Sequence, residues 1–322
     1  MLLSSFENIT EDEFSLQYQI PQIDRSEVTV IVPTLNEEKS IGLVIQDLQF
    51  EGFSKILVVD GNSVDNTVMN AKNYNVEIIQ QKGKGKAGAI KTALEVIKTP
   101  YLVLIDGDST YNPNEIDRLL EKALIYNQVI GARQNRVNIK RINRFGNNVI
   151  NGIFNIFFGT DLSDVCSGMY CLKTDFAKNM PLNSDGFDIE AEIAAHCSNS
   201  NSIKEVPISY NKRIGIQKLN SFRDGFKIIS TILTLGRKFN PIVFYSFLLA
   251  VIFGIPGLAL LALPSIPPLN VFQSALLGVF SSLFITTSIQ FLILAIIVSQ
   301  IKHLIRYYNL SQLGKKRANK YY

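Results

Sequence analysis

Between Phe239 and Ile301 the chain carries no Asp, Glu, Lys or Arg, and this charge-free stretch constrains the fold more than any other feature. It divides into two apolar runs, residues 241–263 and 271–301, separated by the turn-forming PSIPPLN of residues 264–270. Each run exceeds the about 20 residues that a helix needs to cross the hydrocarbon of a bilayer. The sequence therefore predicts a two-helix transmembrane hairpin. Arg237 and Lys238 flank the entry, Lys302, Arg306, Lys315, Lys316 and Arg317 follow the exit, and the connecting turn has no charge. The positive-inside bias then places both chain termini, and everything before residue 241, on the cytoplasmic side of a two-pass integral membrane protein. The basic tail, residues 302–322, is expected to meet anionic headgroups of the lipid bilayer.

Ahead of the hairpin the composition is that of a soluble domain. The whole chain has 32 basic and 28 acidic side chains, a net charge of +4. That excess is too mild and too scattered for a nucleic-acid partner, which demands a concentrated basic face. Three cysteines, Cys166, Cys171 and Cys197, form no CxxC pair, and the two histidines are His196 and His303. Neither a zinc site nor a disulfide framework is expected, only reduced, packed thiols. His196 reads as a surface or packing residue on a helix, and His303 as a residue at the membrane edge. The opening MLLSSFENITEDEF lacks the basic and apolar regions of a signal peptide. Residues 1–27 read as an acidic, irregular extension.

From Val28 strands and helices alternate. VTVIVP (28–33) is a short apolar, β-branched run, the signature of a buried strand, and KILVVD (55–60), VEIIQ (76–80) and YLVLID (101–106) read as three further strands. Residues 37–49, 65–74, 86–98 and 113–126 have helical spacing, the last with Pro113 in its first turn. Repeated βα units predict an α/β domain with a mainly parallel sheet, whose ligands bind at the carboxyl ends of the strands. Asn36, Glu37, Asp60 and Asp106 fall there. Two later segments, 143–158 and 222–239, are amphipathic. Phe145, Val149, Ile153 and Phe157 share one face of the first, with Asn143, Asn147, Asn151 and Asn155 on another. Phe222, Phe226, Ile229 and Leu233 of the second alternate with Arg223, Lys227, Arg237 and Lys238. Such helices either pack on the core or lie in the membrane interface, and their place before the hairpin favours the interface.

Asp106-Gly107-Asp108 ends the fourth strand. Two carboxylates so spaced suit Mg2+ or Mn2+, hard cations that take oxygen ligands and bridge to phosphates. The surrounding motifs are Val32-Pro33-Thr34-Leu35-Asn36-Glu37-Glu38, the segment Val58 to Thr67, Gly83-Lys84-Gly85-Lys86-Ala87-Gly88, Asp164-Val165-Cys166-Ser167-Gly168-Met169, and Glu205-Val206-Pro207-Ile208 followed by Arg213 and Lys218-Leu219. Over residues 28–222 this set resembles family 2 glycosyltransferases of the Rossmann-like GT-A fold, most closely dolichyl-phosphate mannose synthases and other polyprenyl-phosphate glycosyltransferases.

The resemblance implies a hexose transfer, with inversion, from a nucleotide-sugar donor such as GDP-mannose or a UDP-hexose to a polyisoprenyl (dolichyl) phosphate. By the same resemblance Pro33, Asn36, Glu37 and Asp60 line a nucleoside pocket and Lys84 lies near the base or ribose. Asp106, Gly107 and Asp108 hold the sugar and metal, and Arg213 and Lys218 pair with the diphosphate. Gly131-Ala132-Arg133 resembles the family's GSR element. With Ser167 and the basic run Lys140, Arg141 and Arg144, it is expected to cradle the acceptor phosphate, the other reading of the run being a solvated basic loop. A phosphomonoester is mostly dianionic at neutral pH and attacks without a protein base, whereas a hydroxyl acceptor needs a general base, for which Asp164 is the candidate. The chain departs from the family pattern at Gly61, Thr110 and Gln217, which stand where an Asp, a Gln and a Ser are usual. Transfer to a glycan or lipid hydroxyl and a silent membrane scaffold are the competing readings. The processive synthases of the family carry a QxxRW motif, and this chain has no Trp.

The expected organisation is therefore an extension (1–27), a GT-A domain (28–222), an interface helix (223–240), two membrane helices (241–301) and a tail (302–322).

Overall fold

The computed structural model describes residues 22–318 apart from 135, 216–220 and 263–269. Gln217 and Lys218 lie outside the described residues.

Seven strands form one sheet: β1 (Val28–Thr34), β2 (Ile56–Asp60), β3 (Glu77–Gln80), β4 (Tyr101–Leu104), β5 (Gln128–Arg133), β6 (Tyr170–Lys173) and β7 (Ile203–Ile208). Their order is β3-β2-β1-β4-β6-β5-β7. All neighbours run parallel except β6, which is antiparallel to both β4 and β5. The sheet is thus mainly parallel, as the βα repeats require. Period-two alternation assigns the two faces: Val30, Val32, Val58 and Val103 enter one core, and Ile31, Leu57, Val59, Leu102 and Leu104 the other. The chain winds away from β1 on one side to β2 and on the other to β4. That switch point opens a crevice at the strands' carboxyl ends, between residues 34–37 and 106–108.

The helices are α1 (Ile41–Phe50), α2 (Thr67–Lys72), α3 (Gly85–Val96), α4 (Ile116–Ala123), α5 (Arg141–Phe158), α6 (Thr174–Lys178), α7 (Ile189–Asn199), α8 (Ser221–Phe239), α9 (Pro241–Ala262) and α10 (Val271–Ala318). Residues 113–115 form a 3-10 turn that leads directly into α4, its start capped by the Asn112 side chain, which accepts from the amide of Asn114 at 3.2 Å. The packed body also starts ahead of Val28. Ile23 joins the core, and Arg25 stacks over Phe53 at 5.2 Å while pairing with Asp117 at 2.6 Å.

Both amphipathic helices split along their length. On α5, Phe145 is 71% exposed and Val149 is exposed, but Phe157 is buried where α8 crosses it. A Cβ at Gly236 of α8 would overlap the Phe157 ring. On α8, Phe222 and Phe226 are 78% and 76% exposed, whereas Ile228, Ile232 and Leu235 enter the core. Lys227 turns inward to Asp185 and Asp188.

α9 and α10 are each long and apolar enough to cross a membrane. They pack antiparallel through small residues. Ser288 donates to the Ala250 carbonyl at 2.7 Å and Ser281 to that of Gly257 at 2.8 Å, and a Cβ on Gly254 or Gly257 would meet Ser288 or Ile285. α10 does not stop at residue 301 but continues to Ala318. Lys302 and Arg306, expected to face headgroups, instead donate to backbone carbonyls of Phe239 (3.4 Å) and of Phe158 and Gly159 (3.1 and 3.0 Å). The sequence shows two cationic side chains on one helix, not the helix ends that they find.

Candidate active site

The turns after β1 and β4 carry the site. Asn36 and Ser109 sit at φ 51° and 61°, left-handed values that a non-glycine residue holds only when its surroundings fix it. Asn36 is fixed on both sides: its amide donates to Ser63 Oγ and its Oδ1 accepts from the Val64 amide, each at 2.8 Å. This ties the β1 loop to the β2 loop. Gly107 lies so close to β1 that a Cβ would come within 2.9 Å of Thr34 Cγ2.

Asp108 is buried. Its Oδ1 accepts from the Thr110 amide at 3.1 Å and from the Thr110 hydroxyl at 2.5 Å. The hydroxyl at the position where the family has Gln therefore orients the second Asp of the motif. Asp108 Oδ2 accepts from Arg213, whose other terminal nitrogen donates to Glu37. One guanidinium thus joins the β1 loop to the acidic turn, and its buried Nε–H is left without a partner. Burial, together with the neighbouring charge of Asp106, raises the Asp108 pKa. Two carboxylates that repel one another at a strand end fit a divalent cation placed between them. Among the described residues no third His, Cys, Asp or Glu completes a protein cage. A cation with two protein carboxylates and further ligands from a diphosphate and water is the arrangement typical of Mg2+.

Asp106 is paired differently. Lys86, in the first turn of α3, reaches it at 2.6 Å and reaches Glu190 of α7 at 2.7 Å. Burial alone would lower the Lys86 pKa, but the charges of Asp106 and Glu190 outweigh it and hold the ammonium well above its ordinary value. The sequence singled out Lys84, which is exposed at the start of α3, and missed Lys86. The missing signal is distance, since Glu190 is far along the chain and its pairing is tertiary. The other carboxylate oxygen of Asp106 rests on Gly168, where a Cβ would overlap it. The Gly168 amide donates to Tyr111 Oη at 2.7 Å.

At the end of β2, Asp60 accepts from the Ser63 amide at 3.1 Å through Oδ2, while its buried Oδ1 has no partner. An orphan carboxylate oxygen in this crevice suits a ligand N–H or O–H. Pro33 lies beside it, paired with Val59 in the sheet. At Gly61 a Cβ would lie 3.1 Å from the Thr34 carbonyl and 3.3 Å from Gln81.

Arg133 and Asp164 form the other centre. The guanidinium donates to both carboxylate oxygens, Nε to Oδ2 at 2.6 Å and Nη2 to Oδ1 at 2.7 Å, and the Arg133 amide adds a third bond at 3.0 Å. Tyr210 lies against it, 5.2 Å from guanidinium carbon to ring centre, and packs edge-on to Tyr111. Asp164 is 1% exposed, and both of its carboxylate oxygens accept from the arginine. Ser167, expected on the acceptor phosphate, is buried, and its hydroxyl donates to the Gly131 carbonyl at 2.5 Å; it ties the 164–168 turn to β5 instead. Lys140 and Arg141 are exposed at the start of α5. Arg144 donates to the Ile139 carbonyl at 3.3 Å and keeps a buried, unpartnered Nε.

The asparagines of α5 have a use that their spacing does not reveal. Asn155 accepts from the Leu162 amide at 3.0 Å and donates to the Leu162 carbonyl at 2.9 Å. Asn151 accepts from the Val165 amide at 3.1 Å and donates to the Ser163 carbonyl. They read the backbone of the loop that delivers Asp164. The thiols take no part in the site. All three are free, and burial pushes Cys166 and Cys171 up to about 12, so they stay protonated and unreactive.

Residues 29–175 match the model of glycosyl transferase family 2. Glycosyltransferase AglJ of Haloferax volcanii is 34% identical over 227 residues, 68% of this chain and 75% of the relative. Dolichyl-phosphate hexose transferase of the same organism is 29% identical over 210 residues, 63% of this chain and 90% of the relative. Among solved structures, glucosyl-3-phosphoglycerate synthase from Mycobacterium tuberculosis in complex with Mn2+, UDP-glucose and phosphoglyceric acid superposes with a TM-score of 0.56 at 18% identity, covering 71% of this chain and 84% of that one. The acidic turn at the switch point, the sheet order and the sequence kinship agree: the chain belongs to glycosyl transferase family 2 and is a glycosyltransferase.

Proposed function

We propose that this glycosyltransferase moves a hexose from a nucleotide-sugar, GDP-mannose or a UDP-hexose, to a polyisoprenyl phosphate at the cytoplasmic face of a membrane, with inversion at the anomeric carbon. One observation carries the reading: Asp164, the carboxylate nearest the acceptor-side arginine, is wholly occupied by Arg133. A hydroxyl acceptor needs a base there, and a phosphate dianion does not. The exposed phenylalanines of α5 and α8 and the apolar pair α9 and α10 support a membrane-borne acceptor. The name of the Haloferax dolichyl-phosphate hexose transferase points the same way.

The nucleoside would lie over Asp60 and Pro33, and the sugar over Asp106. Asp106 and Asp108 would hold a divalent cation, whose charge would offset that of the diphosphate leaving group. Arg213, now spanning Glu37 and Asp108, would turn its remaining donor to the same diphosphate. Arg133, with Arg144, would hold the acceptor phosphate. A phosphate oxygen bonds to the anomeric carbon as the bond to the diphosphate breaks, and the electron pair leaves with the nucleotide. The test is purified protein in detergent with a panel of nucleotide-sugars, offered polyisoprenyl phosphate and, separately, the matching alcohol. A hexosyl phosphate lipid detected by mass spectrometry is expected. Transfer to the alcohol instead would replace this reading with the hydroxyl one.

A further inference from the structure

α5 ends at Phe158, and Gly159 follows in the left-handed conformation at φ 59°. The last carbonyls of a helix have no partner within it, so each needs one from elsewhere. Here they come from the segment leading into the hairpin and from its far end. Asn240, just before α9, donates to the Phe157 carbonyl at 2.6 Å. Arg306 of α10 donates to the carbonyls of Phe158 (3.1 Å) and Gly159 (3.0 Å) and, at the end of α7, of Ser198 (2.8 Å). Lys302 reaches the end of α8 at Phe239, and His303 Nε2 lies 2.7 Å from Asp161. Gly159 itself admits no side chain, because a Cβ would lie 2.8 Å from the Ser299 carbonyl on α10. A cation at a helix C-terminus also meets the negative end of its dipole, and Arg306 serves two such ends at once while only 9% exposed.

The loop that leaves Gly159 runs through Asp161 to Asp164. Asn155 and Asn151 clamp it at residues 162–165, and Asp164 holds Arg133 through two side-chain bonds. The hairpin's far end, the end of α5, the loop and the acceptor-side arginine therefore form one continuous set of hydrogen bonds. We propose that Arg306 is a positioning residue for acceptor binding. Through the end of α5 it fixes the loop that aims Arg133, so the second hairpin helix is part of the acceptor site and not only an anchor. The donor side, built from the β1, β2 and β4 loops, meets this set only at Asp106, which lies against Gly168 and pairs through Lys86 with Glu190 of α7. This inference rests on the lipid-phosphate reading of Arg133.

The test uses the full chain in detergent and compares wild type, Arg306→Met, Arg306→Lys and Asn155→Ala. Two quantities are read in each: nucleotide binding by calorimetry, and KM for polyisoprenyl phosphate and for the nucleotide-sugar. Expected is a rise in acceptor KM on the order of tenfold or more in Arg306→Met, with nucleotide affinity and donor KM within about twofold of wild type. Lys, which keeps the charge but not the fork of donors, should recover part of the loss. A fall in kcat with both KM values unchanged, or equal losses on donor and acceptor, assigns Arg306 to stability alone and overturns the proposal. If Arg306→Met yields no folded protein, Asn155→Ala must show the same split, and its failure to do so is equally decisive. A wild-type protein that makes no lipid-linked hexose removes the functional reading beneath, a result distinct from a wild type that works and an Arg306 variant that matches it.

Discussion

Replacing Lys86 by Met keeps the aliphatic stem and deletes the ammonium that bridges Asp106 and Glu190. In the native protein the Lys86 pKa is raised, so its stabilisation is fully present below the unfolded value near 10.5 and is lost only as pH rises through the still higher folded value. Lys86 by itself therefore adds no pH dependence between pH 5 and 8. In the variant Glu190 stays buried without a cation. Burial already raises its carboxyl pKa, and Lys86 is the chief influence opposing that rise. Without it the folded state keeps the Glu190 proton to higher pH, so stability is lost as pH climbs from the unfolded carboxyl value through the folded one. Removing one partner of a buried ion pair costs about 3–5 kcal/mol, which at roughly 2–4 °C per kcal/mol lowers Tm by roughly 10 °C. The loss should be nearly complete at pH 8 and much smaller at pH 5. Circular dichroism melts at the two pH values measure it, since the chain has no Trp for fluorescence. An equal Tm gap at both pH values, or none, would refute the claim that Lys86 balances a buried Glu190.

Three further outcomes follow from the geometry. Asp108→Asn should abolish Mn2+ binding measured by paramagnetic resonance and cut kcat by on the order of 10²–10³, the scale of losing one focused electrostatic contact; wild-type turnover would remove the metal role. Gly168→Ala should reduce kcat by about 10²-fold with little change in Tm, because the new methyl overlaps the Asp106 carboxylate and displaces the sugar-side ligand. Gly159→Ala should lower stability by about 2 kcal/mol through its φ of 59° alone, and by more as α10 is pushed away, read as a lower melting temperature in detergent.

The fold was legible wherever periodicity and burial coincide. The unbroken β-branched runs at 28–33, 55–60 and 101–106 give strands buried on both faces, and the polar residues just beyond them mark the ligand end of the sheet. What escaped the sequence is tertiary. Lys86 and Lys84 have the same residue type two positions apart, and only the position of α7 decides which one reaches a carboxylate. The regular asparagines of α5 read as a polar face, yet they bind the backbone of their own downstream loop. Arg306 reads as the basic flank of a membrane helix because the carbonyls it caps belong to helix ends whose arrival nothing in the local sequence announces. Removal of residues 241–322 would take Val243 and Ala295 from the core and the caps from α5, α7 and α8.

The central claim is that Arg133 and Asp164 serve a nucleophile that arrives already ionised. The pH dependence of kcat/KM for the lipid acceptor tests it most directly, run with polyisoprenyl phosphate and again with an analogue whose second ionisation lies at lower pH. The acid limb should fall near pH 6, where phosphomonoesters lose their second proton, and should shift downward with the analogue. A limb that stays in place when the acceptor is exchanged would belong to a protein base, and would contradict the account.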